Sequence, residues 1–204
     1  MTFTLAILAG GMSRRMGRDK ATLDAGDGPL LERSARLGLD LGLPVLVVGR
    51  AQPEGWPLPT VRFAADQQPG QGPLGGLVTA LELAAPILAI ACDLPRLDRE
   101  CLRWLRDESA RAPLADGLIT TDFGGIEPLF ACYTAHCLAT ARSHLAAGQR
   151  AMHRLIEAGD FLRAVIPEPL LMRLTDVDTP DDWRRIQAGM AGKSDCGQSS
   201  IVEQ

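Results

Sequence analysis

The 204-residue chain is short of several residue types, and each shortage removes a class of function. Lysine occurs only at positions 20 and 193, although Lys and Arg together number 21. With 25 acids the formal net charge is −4, which argues against non-specific nucleic-acid binding as the main activity. Aromatics are few (three Trp, one Tyr, five Phe), so Leu, Ala, Val and Ile must fill the core that a 46% hydrophobic composition can build. Cys92, Cys101, Cys132, Cys137 and Cys196 are odd in number and contain no Cys-x-x-Cys pair, so neither a disulfide framework nor a zinc site is indicated. His136, His144 and His153 share no metal-ligand spacing. The first apolar run has no basic region before it and breaks at glycines after a few residues. No signal peptide or membrane span is therefore expected, and the cytoplasm is the expected compartment.

What is present is concentrated near the amino terminus. The segment Leu5-Ala-Ile-Leu-Ala-Gly-Gly-Met-Ser-Arg-Arg-Met-Gly-Arg-Asp-Lys20 starts as a buried strand and turns at Ala9-Gly10-Gly11. There the missing side chains let backbone N–H groups approach a ligand. Arg14, Arg15, Arg18 and Lys20 stand against one acid, Asp19, so this loop is a positive patch in an acidic protein. Amides in a glycine turn beside guanidinium and ammonium groups suit a di- or triphosphate. Lys20, rare in an arginine-preferring chain, supplies a compact point charge where Arg would present a planar fork. A Walker loop is excluded, because five residues separate Gly11 from Gly17 and Arg18 follows. The dinucleotide fingerprint is excluded because Gly10 and Gly11 are adjacent.

Further along, Pro44–Val48 and Pro86–Cys92 read as buried parallel strands, and Thr60–Ala64 as a weaker one. Pro29 begins a helix, and Gln67–Gly76 is a second glycine-rich loop opening onto a helix over Leu74–Ala84. Asp93 stands at the carboxyl end of a strand, where open α/β sheets bind ligands, and magnesium shared with substrate phosphates fits it. Asp98 caps a helix running to Arg111. Asp116–Thr121 and Glu127–Tyr133 form strands around the turn Asp122–Gly125. Helices over Ala135–Ala147 and Met152–Ala158 precede a strand at Leu162–Pro167. Asp176 and Asp178 face one way if their segment is extended, before Thr179 caps a last helix. Strands alternating with helices predict an α/β fold, a doubly wound, mostly parallel sheet with helices on both faces. Residues 1–190 are read as one domain and 191–204 as a flexible tail.

The run Leu8 to Lys20 resembles, without a gap, the signature Leu-Ala-Gly-Gly-x-Ser-x-Arg-Met-Gly-x-Asp-Lys of the molybdenum cofactor guanylyltransferase family. Asp66 before Gly72-Pro-Leu74, Cys92-Asp-x-Pro95 and Glu127-Pro-Leu129 are similar to later family segments. The resemblance implies a Rossmann-like nucleotidyltransferase fold, Mg²⁺ as cofactor, and GMP transfer from GTP to the terminal phosphate of molybdopterin. It implies nucleotide contacts from Leu8, Ala9, Gly10, Gly11, Lys20, Asp66 and Asp93, catalytic roles for Lys20, Arg15 and Asp93, and a metal on Asp93. The family usually carries Asn-x-Asn-Thr-Pro where this chain has Asp176 and Asp178, either of which could add a metal ligand; Asp178 is the expected one. Gly49 replaces a frequent Asn. Molybdoenzymes or cofactor-insertion proteins are the implied partners. A cytidylyltransferase, a sugar-phosphate nucleotidyltransferase and a non-catalytic nucleotide or molybdopterin carrier are the alternatives.

Overall fold

The computed structural model describes residues 2–11, 16–111 and 115–191. The strands are β1 (Thr4–Leu8), β2 (Val45–Val48), β3 (Arg62–Ala64), β4 (Ile87–Ala91), β5 (Gly117–Thr121), β6 (Ile126–Tyr133) and β7 (Phe161–Val165). The helices are α1 (Leu30–Asp40), α2 (Gly72–Leu83), α3 (Arg99–Arg111), α4 (Leu138–Ala146), α5 (Met152–Ala158), α6 (Glu168–Leu171) and α7 (Pro180–Ala191). All seven strands join one sheet in the order β3-β2-β1-β4-β6-β5-β7. Every pairing is parallel except the two made by β6, which runs against both β4 and β5.

The apolar runs are continuous because both faces of the sheet are covered. Leu5, Ile7, Val45, Val47, Leu88 and Ile90 pack with residues of α1 and α3. The alternate residues Ala6, Leu46, Val48, Ile87 and Ala89 pack with α2, α4 and α5. A strand buried on both faces has no polar side to alternate with, which is why the sequence shows unbroken runs. A third cluster, Met16, Leu23, Leu30, Val177, Trp183 and Ile186, docks α7 over the start of α1.

The expected elements are present, with displaced edges. Pro29 is the N-cap of α1, in extended conformation, and does not occupy its first turn. The second helix starts two residues early, with Gly72-Pro73 inside it. Asp98 caps α3, its Oδ1 accepting from the Cys101 N–H at 3.0 Å. Thr179 and Asp182 cap α7 reciprocally: Asp182 N–H donates to Thr179 Oγ1 (3.2 Å) and Thr179 N–H to Asp182 Oδ2 (2.9 Å). The short helix α6 and the insertion of β6 between β4 and β5 went unforeseen. Among the described residues no helix is long and apolar enough to cross a membrane.

Candidate active site

The strand order reverses between β1 and β4, so a crevice opens beyond their carboxyl ends. A cleft of about 860 Å³ lies there, bordered by Gly10, Gly11, Lys20, Asp66 and Asp93. Leu8 and Ala9 also line it, so the sequence-predicted site residues that the structure describes, apart from Asp178, share one cavity. Arg14 and Arg15 lie outside the described residues.

The first wall is backbone. Ala9 N–H donates to Val48 O (2.8 Å) and Gly49 N–H to Ala64 O (2.9 Å), extending the parallel ladder past the strands. Gly10 and Gly49 then meet face to face. A Cβ on Gly49 would stand 2.5 Å from Gly10 Cα, and Gly49 has φ +98°, a conformation side chains rarely adopt. In this chain β1 and β2 end too close together for a side chain at this position without a backbone shift.

The second loop is tied down by Asp66. Its Oδ1 accepts from Gln68 N–H (2.9 Å) and lies 3.3 Å from Thr79 Oγ1, which itself accepts from Gln67 N–H (3.2 Å). Thr79 is fully buried on α2, so the loop is fastened to the helix it precedes.

At the centre, Lys20 sits in a 3₁₀ turn (Lys20–Thr22) capped by Asp19, whose Oδ1 accepts from Ala21 N–H at 3.1 Å. The other Asp19 oxygen is paired with Arg50. Lys20 Nζ donates to Asp93 Oδ2 (2.8 Å) and to Asp178 Oδ1 (2.7 Å). Burial alone would lower the pKa of this ammonium; the hydrogen bonds and charges of Asp178 and Asp93 outweigh it and raise the pKa, so Lys20 stays charged. The strap carrying Asp178 is held by Val177 N–H donating to Asp93 O (3.2 Å). It is irregular and not a strand, yet the expected geometry survives locally: Val177 is buried in the third cluster, while Asp176 lines the cleft and Asp178 meets Lys20. Asp176 is pushed up by burial and by the charges of Asp178 and Asp93.

Among the described residues no group of three or more His, Cys, Asp or Glu forms a metal cage. Asp93 in the cleft and Asp178 beside it, both bonded to Lys20, do fit Mg²⁺, which keeps few protein ligands and completes its shell with phosphates and water. Cys92, beside Asp93, is pushed up to about 12 by burial and then by the Asp93 charge, so it is a neutral thiol and no nucleophile.

Three features escaped the sequence reading. Arg50 pairs with Asp19 across 31 positions, with no local signal. Glu127, Pro128 and Leu129 of β6 form the far wall, the side of Asp93 away from the glycine turn. Met152 and Leu174 add apolar surface to the cleft. Glu127 belongs to a family-like segment, but nothing local said that β6 begins where β1 and β4 end.

Known proteins resemble this chain in sequence and fold. Residues 5–164 match the family model described as the MobA-like NTP transferase domain. A probable molybdenum cofactor guanylyltransferase of Opitutus terrae is 35% identical over 190 residues, covering 88% of this chain and 92% of the relative. One from Chloroflexus aggregans is 38% identical over 199 residues, covering 89% and 92%. The crystal structure of molybdopterin-guanine dinucleotide biosynthesis protein A from Archaeoglobus fulgidus superposes with a TM-score of 0.77 at 23% identity, covering 93% of this chain and all of that one. With its basic glycine turn, its paired carboxylates and this likeness over most of its length, the chain belongs to the MobA-like NTP transferase family and is a nucleotidyltransferase.

Proposed function

We propose that the protein is a molybdenum cofactor guanylyltransferase that moves GMP from GTP to the terminal phosphate of molybdopterin. An acceptor phosphate oxygen attacks the α-phosphorus of GTP, the bond from that phosphorus to the β-phosphate bridging oxygen breaks, and pyrophosphate leaves. The observation that carries this reading is the convergence of Gly10, Gly11, Lys20, Asp66 and Asp93 on one cleft at the strand-order reversal. The names of the relatives favour guanine and molybdopterin over the other nucleotides and acceptors.

The acceptor is already an anion, so no strong base is required; the barrier is the approach of two negative phosphates. Positioning and charge neutralisation therefore carry the rate. The amides of Gly10 and Gly11 approach the nucleotide, with Leu8 and Ala9 beside them, and Asp66 contacts it from the second loop. Lys20 holds its charge for the triphosphate, and Arg15 adds a second cation from the same loop. Asp93 and Asp178 would hold Mg²⁺, which when bound neutralises phosphate charge. The catalytic unit is taken as residues 1–190, acting in the cytoplasm.

Pyrophosphate release with molybdopterin, Mg²⁺ and each nucleoside triphosphate in parallel tests the reading. Release with GTP alone is expected. Release with CTP would reassign the base, and GTP binding without release would make the protein a carrier.

A further inference from the structure

The antiparallel strand β6 carries an irregularity at the cleft. Its register with β5 passes from Ile119 opposite Ala131 to Thr120 opposite Glu127, so one step on β5 spans four on β6. Pro128, Leu129 and Phe130 are the surplus residues, and all three line the cleft with Glu127. The bulge is fastened from beneath. Thr120 Oγ1 donates to Phe130 O (2.6 Å) and Tyr133 OH donates to Pro128 O (2.8 Å), from two residues that are themselves fully buried. Bulges of this kind re-aim side chains beside active sites. The result here is a half-buried carboxyl, Glu127, next to the partly exposed apolar surfaces of Pro128 and Leu129. Glu127 makes no hydrogen bond or ion pair with any described residue. It faces the charges of Asp122 and Asp176, which with its burial, the larger cause, push its pKa up.

A carboxyl held against two like charges without a donor is destabilised until something supplies one. A phosphate cannot, because it would add a fourth negative group. A ring edge with two parallel N–H donors can, since a carboxylate accepts such a fork in bidentate fashion. We propose that this wall recognises the acceptor's pterin ring, Glu127 accepting from the N3–H and 2-amino groups while the ring lies on Pro128 and Leu129. The inference rests on the molybdopterin reading above and deepens it. It also orients the acceptor: the acids of this wall repel its phosphate, which turns toward Lys20. Tyr133 is a positioning residue, holding the bulge without touching the substrate.

Equilibrium dialysis of the full chain with GTP and Mg²⁺ present, using 6-hydroxymethylpterin and 6-hydroxymethyllumazine as probes, tests this. Lumazine carries oxygen where pterin carries the 2-amino group. The wild type should prefer pterin by about tenfold or more, the discrimination expected when a built acceptor loses its donor. Glu127→Gln should erase that preference by weakening pterin alone, with GTP affinity unchanged. Tyr133→Phe should reduce the preference less, again sparing GTP. Retention of the full preference in Glu127→Gln overturns the inference and leaves the guanylyltransferase reading standing. If the wild type binds neither probe but still guanylylates molybdopterin, the inference fails alone; if it does neither, both fail.

Discussion

Replacing Gly49 by alanine isolates the contact between the ends of β1 and β2. The added Cβ would lie 2.5 Å from Gly10 Cα and 2.6 Å from Gly10 N, both backbone atoms that cannot swing aside. Two costs add. A residue with a side chain held at φ +98° costs about 1–2 kcal/mol, and forcing the backbones apart costs about 1–3 kcal/mol. The expected loss is roughly 2–5 kcal/mol, which for a chain of this size corresponds to a fall in Tm of about 5–15 °C. Because the yielding partner is the nucleotide-facing Gly10, turnover below the melting temperature should also fall, by up to about 100-fold for a 1 Å displacement. Thermal denaturation paired with pyrophosphate release measures both. Gly11→Ala is the stability control, since its added Cβ would meet no atom of the described residues within 4 Å; its Tm should stay within about 1 °C of wild type. A Gly49→Ala protein melting within about 2 °C of wild type would refute the steric account of this position.

Asp93→Asn keeps an oxygen for Lys20 and removes the charge, so Tm should change by no more than a few degrees while metal-dependent turnover falls about 100-fold or more; retained turnover would reassign the metal role. Lys20→Met leaves Asp93 and Asp178 facing each other and should lower stability at pH 7 by about 1–3 kcal/mol, less than a fully buried pair because Asp178 is 47% exposed. Since the Lys20 pKa is raised in the folded state, its contribution is complete below the ordinary 10.5 and disappears as pH rises through the folded value. The Tm gap between wild type and Lys20→Met should accordingly hold up to about pH 10.5 and narrow only above it. Glu127→Gln should act in the opposite sense. A carboxyl whose folded pKa lies above the ordinary 4.5 is destabilising when ionised, so the variant should melt higher than wild type at pH 7 and equal to it below pH 4.5.

Much of the site was legible because its parts are local. Gly10-Gly11 after an apolar run, and Asp93 after another, each need only a strand and its end, and hydrophobic runs announce both. The motif Leu8 to Lys20 added the phosphate chemistry, and Thr179 declared its cap as a hydroxyl residue directly before Pro180 and acids. Gly49 looked like a missing contact in sequence; only the meeting of two strand ends showed that its hydrogen is a steric requirement.

The amino-acid sequence by itself determined the elements, the double burial of the central strands and the cluster of cations near the amino terminus. Those follow from neighbours in the chain, where periodicity and turn chemistry act. The tertiary structure alone decided which carboxylates Lys20 meets, one 73 residues away and the other 158. It alone placed β6 between β4 and β5, with a bulge that turns Glu127 to the cleft. Such choices depend on strand order and on packing between segments distant in sequence, for which a local pattern carries no information.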